Sequence, residues 1–166
     1  MRLLPWFVAL LALWILPPPA MAQKTLILVR HAERDENNPE KLSEAGRLRA
    51  KALARTLKDT SITLVVRSDT VRTQETAAPT VQANSVPQKV VKYDEQHVEN
   101  VVKIMKDSGD HAVVLYVGHS DTLEPLLRKL GYQGPFSLED DPFGNLIILV
   151  PNAGGPKVIR LHYPKE

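Results

Sequence analysis

Apolar residues along this chain fall into short continuous runs that alternate with stripes at helical spacing. Thr25-Leu26-Ile27-Leu28-Val29 is an apolar run ending at Arg30, the pattern of a strand buried on both faces. A polar stretch from Glu33 to Lys41 leads to Ser43, a helix N-cap residue type. From there Ala45, Leu48, Ala52, Leu53 and Leu57 make a helical stripe, and Arg47, Arg49, Lys51 and Arg55 are expected to face water. Ile62 to Val66 reads as a second strand. The helix from Thr70 to Ala83 contains Pro79, which should kink or divide it. Val90-Val91 suggests a short third strand, and Val98, Val101, Val102 and Met105 fit one helix face. Ala112 to Val117 reads as a strand, and Leu123 to Leu130 as a helix stopped by Gly131. Asn145 to Val150 and Val158 to Tyr163, separated by Pro-Asn-Ala-Gly-Gly-Pro, read as a hairpin. Strands alternating with helices imply βαβ units. The expected class is therefore α/β: a three-layer α/β/α sandwich whose mainly parallel sheet carries an antiparallel C-terminal edge hairpin.

Residues 1–22 break this pattern. Arg2 is their only charge, Leu3 to Leu16 is almost wholly apolar, and three prolines precede Ala20-Met21-Ala22. A basic start, a short apolar stretch and a small-x-small ending predict a secretory signal peptide cleaved before Gln23. The run is shorter than the ~20 residues that span hydrocarbon, so no stable membrane span is expected after cleavage. The domain proper would be residues 23–166, exported to a periplasm or secreted.

Composition narrows the chemistry. The 166 residues carry 21 Lys+Arg against 19 Asp+Glu, a net charge of +2, too little for a protein that neutralises many nucleic-acid phosphates. With no cysteine there is no disulfide, thiolate nucleophile or Cys-based metal site. In open α/β sheets ligands bind beyond the carboxyl ends of the strands. Those ends carry Arg30-His31, Ser68 to Arg72, and Gly118-His119. Any one of these residues has an ordinary structural explanation, but two histidines and two arginines at one sheet edge suit phosphoryl transfer through histidine. Arginine offers a permanently charged planar fork to phosphate. A neutral imidazole attacks phosphorus, and water then hydrolyses the phosphohistidine, with no metal or cofactor required.

Other motifs fail on specifics. The first glycine is Gly46, so no Gly-rich phosphate loop follows the first strand, and neither G-x-x-x-x-G-K-[ST] nor G-x-S-x-G occurs. His31, Glu33, His119 and Asp121 could be arranged around a metal, but the neighbouring arginines oppose a divalent cation.

Leu28-Val29-Arg30-His31-Ala32-Glu33 resembles the R-H-G signature of the histidine phosphatase superfamily, also called phosphoglycerate mutase-like. Leu42-Ser43-Glu44-Ala45-Gly46, Arg72-Thr73-Gln74-Glu75-Thr76-Ala77 and Val117-Gly118-His119-Ser120 resemble its L-[ST]-x-x-G, R-T-x-x-T-A and V-G-H-S segments, in family order. The resemblance implies that His31 is the nucleophile and that Arg30, Arg72 and His119 form the phosphate pocket. Arg34 falls where some members carry a further phosphate-contacting cation. Ala32 stands where the signature has glycine. No segment after Ala77 matches the acidic signature that supplies the proton donor in the mutase-like branch. Asp94, Glu95 and Asp121 are the available carboxylates, and Glu95, following the third strand, is the favoured one.

The expected function is hydrolysis of a small phosphorylated substrate. A non-catalytic module binding phosphate or another anionic ligand, and a phosphomutase, are the alternatives. A lid that excludes water has little room in the 40 or so residues between Ala77 and Gly118, which already hold a strand and a helix. Substrate choice would come from the loops near Asn37, Val86 to His97 and Phe136 to Phe143.

Overall fold

A computed structural model describes residues 24–138 and 143–164. The proposed signal peptide, and residues 139–142 of the Phe136–Phe143 loop, lie outside the described residues. The elements run β1 (Thr25–Arg30), α1 (Glu44–Thr56), β2 (Leu64–Ser68), α2 (Val71–Asn84) and β3 (Gln88–Val91). They continue with α3 (His97–Asp107), β4 (Val113–Gly118), α4 (Ser120–Lys129), β5 (Asn145–Val150) and β6 (Lys157–His162). The six strands form one sheet in the order β3-β2-β4-β1-β5-β6. Its first three pairings are parallel, and β1–β5 and β5–β6 are antiparallel. The fold class is the one expected from the sequence.

Alternation along the strands builds two cores. Leu26 and Leu28 of β1, with Val114 and Tyr116 of β4, pack against Val101, Val102 and Met105 of α3 and Leu123, Leu126 and Leu127 of α4. Ile27, Val29, Leu115 and Val117 point the other way, onto Ala52 and Leu53 of α1 and Ala77 of α2. A central strand that buries both faces has to be apolar at every position, which is why the runs are continuous. No helix among the described residues is long and apolar enough to cross a membrane.

Local features follow the sequence with informative departures. Ser43 caps α1, its Oγ accepting from Gly46 N at 3.0 Å. Pro79 does not divide α2, which runs unbroken through it; one missing donor is tolerated where Thr73, Thr76, Ala77 and Thr80 bury the helix face. The second strand lies two residues later than expected, and so ends on a buried Ser68.

Arg49 departs most. Instead of facing water it is buried, with 4% of its side chain exposed. Its Nε and Nη2 fork onto the Glu33 carboxylate at 2.7–3.0 Å, and its Nη1 donates to Tyr163 O at 3.2 Å. Periodicity assigns a charged residue to solvent because burial costs several kcal/mol per ion. It cannot see a partner sixteen residues upstream. Gly46 belongs to the same arrangement: a Cβ there would lie 2.2 Å from Glu33 O, so only glycine lets α1 start this close to the loop after β1.

Removing one member of a buried pair strands the other. Arg49→Met is therefore expected to lower the unfolding free energy by roughly 3 kcal/mol in urea denaturation. A loss below about 1 kcal/mol would mean that the pair behaves as a surface ion pair.

Candidate active site

The site begins with strand pairing. Parallel register sets Arg30 of β1 beside Gly118 of β4, and His31 N donates to Gly118 O at 2.9 Å. The residues that leave these two strands, His31 and His119, thus emerge side by side, with ring centroids 5.3 Å apart. Gly118 has to be small, since a Cβ there would meet the Tyr116 ring at 2.3–2.4 Å.

The tautomer of His31 is fixed by the chain. Its Nδ1 lies 2.8 Å from Ala32 O. A carbonyl only accepts, so Nδ1 carries the hydrogen and Nε2 keeps the lone pair. Burial pushes the imidazole down from 6.5 to about 4; the Ala32 hydrogen bond opposes the shift, and Arg30, Arg72 and Arg34 add to it. At neutral pH the ring is uncharged and able to attack.

Two arginines present donors that the protein does not use. Among the described residues, buried Arg30 Nε and Arg72 Nε have no hydrogen-bond partner. Burial, together with the charges of Arg34 and Arg72, holds Arg30 below its ordinary pKa. The Arg30 guanidinium lies 4.3 Å from the Phe143 ring centroid, and among the described residues Arg72 pairs with the mostly exposed Glu40, at 3.5 Å. An unsatisfied buried donor costs on the order of 1–3 kcal/mol, more when charged. Two of them on arginines whose charges act on the neutral His31 ring make a setting suited to an anion. Arg34 joins through its charge, and the strand-like bridge it makes with Leu42 holds the loop that carries it.

His119 is held by β2. Its Nε2 lies 2.9 Å from Ser68 Oγ, and Arg72 Nη2 approaches its Nδ1 at 3.4 Å. Burial and Arg72 push it down to about 3. Because a hydroxyl can donate or accept, Ser68 supports either neutral tautomer. Arg72 only donates, so in this geometry Nδ1 accepts and Nε2–H donates to Ser68 Oγ; once a phosphoryl oxygen takes the Arg72 donor, Ser68 can donate to Nε2 and leave Nδ1–H to donate to that oxygen. Tyr93 stacks on this ring at 4.0 Å, and its hydroxyl donates to Asp121 Oδ2 at 2.5 Å. Burial, then Asp121, raise the phenol to about 12.

Second contacts fix the loop after β1. Ala32 N donates to Thr76 Oγ1 at 3.0 Å, and that hydroxyl donates to Arg72 O at 2.8 Å. The loop that carries His31 is thereby registered against the helix that carries Arg72. Among the described residues the positive-φ non-glycine residues are Ser61 and Ser85, so Ala32 is not in the left-handed region. Its methyl packs with Leu42 and Ala50.

His31, Arg30, Arg72, Arg34 and His119 are therefore brought together. Glu95 is not: it is exposed, and no hydrogen bond or charge interaction joins it to Arg30, His31 or His119. Asp94 accepts from Gln96 N at the start of α3 and pairs with Lys92. Of the three carboxylates only Asp121 acts on Arg30 and His119. Among the described residues no group of three or more His, Cys, Asp or Glu is arranged to hold a metal ion. Sequence reasoning missed Ser68 as a partner of His119, Thr76, and the rings of Tyr93 and Phe143. Thr76 lay inside a recognised motif, and the two rings lie in loops marked for substrate choice. Beside the arginines opens a cavity of about 780 Å³ lined by Arg34, Asn37, Ser43 and Phe143, among others.

Residues 26–97 match the model of the histidine phosphatase superfamily, branch 1. Solved structures share the fold. The alpha-ribazole phosphatase from Shigella flexneri is 18% identical, with a TM-score of 0.67 over 83% of this chain and 96% of that one. A provisionally assigned phosphohistidine phosphatase, SixA, from Nakamurella multipartitia is 24% identical, with a TM-score of 0.62 over 84% and 96%. The mycobacterial glucosyl-3-phosphoglycerate phosphatase is 16% identical, with a TM-score of 0.60 over 86% and 99%. No curated protein matches the sequence. The family model covers less than half of the chain, and the solved structures show that the chain shares their fold.

A depressed histidine pKa has two consequences of fixed sign. The unfolded chain takes up protons first, from about pH 6.5 downward, so the fold loses stability as pH falls from there toward the folded values near 4 and 3. A carbon-13 NMR titration of the His31 ring is expected to show a midpoint near 4. A midpoint at 6.5 would mean that neither burial nor the arginines act on it.

Proposed function

We propose that the chain is a metal-independent phosphatase that removes a phosphoryl group from a small phosphorylated substrate through a phosphohistidine at His31. The observation that carries this reading is the neutral Nε2 lone pair of His31 set among arginines whose buried Nε donors have no partner.

The chemistry divides into two displacements. In the first, the Nε2 lone pair forms the N–P bond while the bond from phosphorus to the leaving group breaks, its electron pair going to the leaving oxygen. The imidazole gains positive charge, which the hydrogen bond from Nδ1 to Ala32 O stabilises. Arg30, Arg72 and Arg34 take the charge of the transferring oxygens, and His119 adds a neutral donor. In the second, water attacks phosphorus, the N–P bond breaks, Nε2 regains its lone pair and phosphate leaves. Burial serves both steps by keeping the nucleophile uncharged in a cationic site.

Residues 1–22 are read as a signal peptide, giving an exported protein that begins at Gln23. N-terminal sequencing of exported material is expected to return that residue; an intact Met1 would contradict it.

His31→Ala is expected to abolish hydrolysis of p-nitrophenyl phosphate while the circular dichroism spectrum and unfolding midpoint stay close to wild type. Arg72→Ala and His119→Ala should each cost on the order of 100-fold in kcat, as for loss of a transition-state donor. Acid-labile, base-stable phosphate on the wild-type protein, absent from His31→Ala, identifies the intermediate. Activity retained in His31→Ala removes the mechanism, and absence of turnover with any phosphate ester leaves the anion-binding reading.

A further inference from the structure

We propose that the phosphoryl group is carried on an aromatic ring, as an aryl phosphate monoester, with the ring packing where Phe143 and Tyr93 flank the two histidines. This rests on the phosphatase reading above.

Two independent observations lead to it. The first is a file of rings. Phe143 lies 6.1 Å from His31, His31 lies 5.3 Å from His119, and His119 lies 4.0 Å from Tyr93. The two histidines are thus bracketed by two aromatic side chains that phosphoryl transfer itself does not require. Tyr93 keeps 37% of its surface exposed and yet is fastened at both ends. Its N–H bonds Asp69 Oδ1 at 3.0 Å, and its hydroxyl bonds Asp121. On the other side Phe143 is held by Arg30 and lines the adjoining cavity. Rings already fixed in place lose little conformational freedom when a flat partner packs on them.

The second observation concerns the leaving group. Asp94 is committed to the start of α3, Glu95 points into solvent, and Asp121 accepts the Tyr93 hydroxyl proton. No one of these three offers a free acid proton to a departing oxygen. An alkoxide needs such a proton; a phenolate spreads its charge into the ring and departs without one. A ring packed beside Phe143 and Tyr93 thereby makes a leaving group that asks no proton of these three carboxylates.

The test compares phenyl phosphate with hexafluoroisopropyl phosphate, a non-aromatic ester whose alcohol is about as acidic as phenol, so that ring packing is separated from leaving-group quality. The purified protein is expected to favour the aryl ester about tenfold in kcat/KM. Phenylphosphonate should inhibit correspondingly better than propylphosphonate. Tyr93→Leu should bring the ratio to within about twofold of unity, whereas Tyr93→Phe, which keeps the ring and loses only the bond to Asp121, should retain most of it. A wild-type ratio near one, with both esters hydrolysed, overturns the inference and leaves the phosphatase reading intact. So does a ratio unchanged in both Tyr93→Leu and Phe143→Leu. If neither ester is hydrolysed and His31 takes up no phosphate, the phosphatase reading fails and this inference with it.

Discussion

The parallel pairing of β1 with β4 is the constraint from which the site follows. The two strands are far apart in sequence, and each alone delivers one histidine to one end of the sheet. Only their adjacency, sealed by the bond from His31 N to Gly118 O, places the rings in contact. That adjacency depends on the chain travelling outward through β2 and β3 and returning to lay β4 between β2 and β1. Both strands are then covered by helices on both faces, the most rigid position the sheet offers. Chemistry at their ends inherits that rigidity.

Rigidity alone would not make a nucleophile. A histidine beside three arginines is discharged by their field, but burial lowers the pKa of His31 more than the arginines do. This order matters chemically. A ring kept neutral mainly by a bound cation would be freed to protonate when substrate neutralised that cation. A ring kept neutral mainly by desolvation keeps that part of its shift as the anion enters and excludes more water. The buried, unpartnered Nε groups of Arg30 and Arg72 are the other side of the balance. Their cost is carried by the folded protein at rest and relieved when an anion accepts from them.

Elements and roles differed in how plainly the sequence carried them. Strands buried on both faces leave continuous apolar runs, and helices that cover them leave stripes, so the order of elements and the ends that bear His31, Arg72 and His119 could be read directly. The exceptions are residues whose state depends on a distant partner. Arg49 looks solvent-facing until Glu33 and Tyr163 are placed beside it. Ser68 is a small polar residue until register brings it to His119. Tyr93 and Phe143 were marked only by the loops that contain them, since nothing local tells a ring packed on a catalytic histidine from a ring packed on any other side chain. Glu95 shows the converse. Position after the third strand suggested a role, and its exposure shows that position in the chain does not fix where a loop carboxylate points.

The segment after β1 explains how such a site can vary without losing its chemistry. Its backbone is tied on one side to α2 through Ala32, Thr76 and Arg72, and on the other to α1 through Glu33, Ser43, Gly46 and Arg49. His31 and the arginines around it are thus positioned by strands, helix starts and buried polar contacts, none of which belongs to the rim. Tyr93 and Phe143, by contrast, sit on connecting loops, where substitution disturbs neither β-pairing nor core. The contacts that hold His31 among the arginines therefore lie on strands and helix starts, while the two rings proposed to meet the body of a substrate join that set at Arg30, His31 and His119. On that proposal a change of substrate proceeds through the connecting loops, where residues vary most freely.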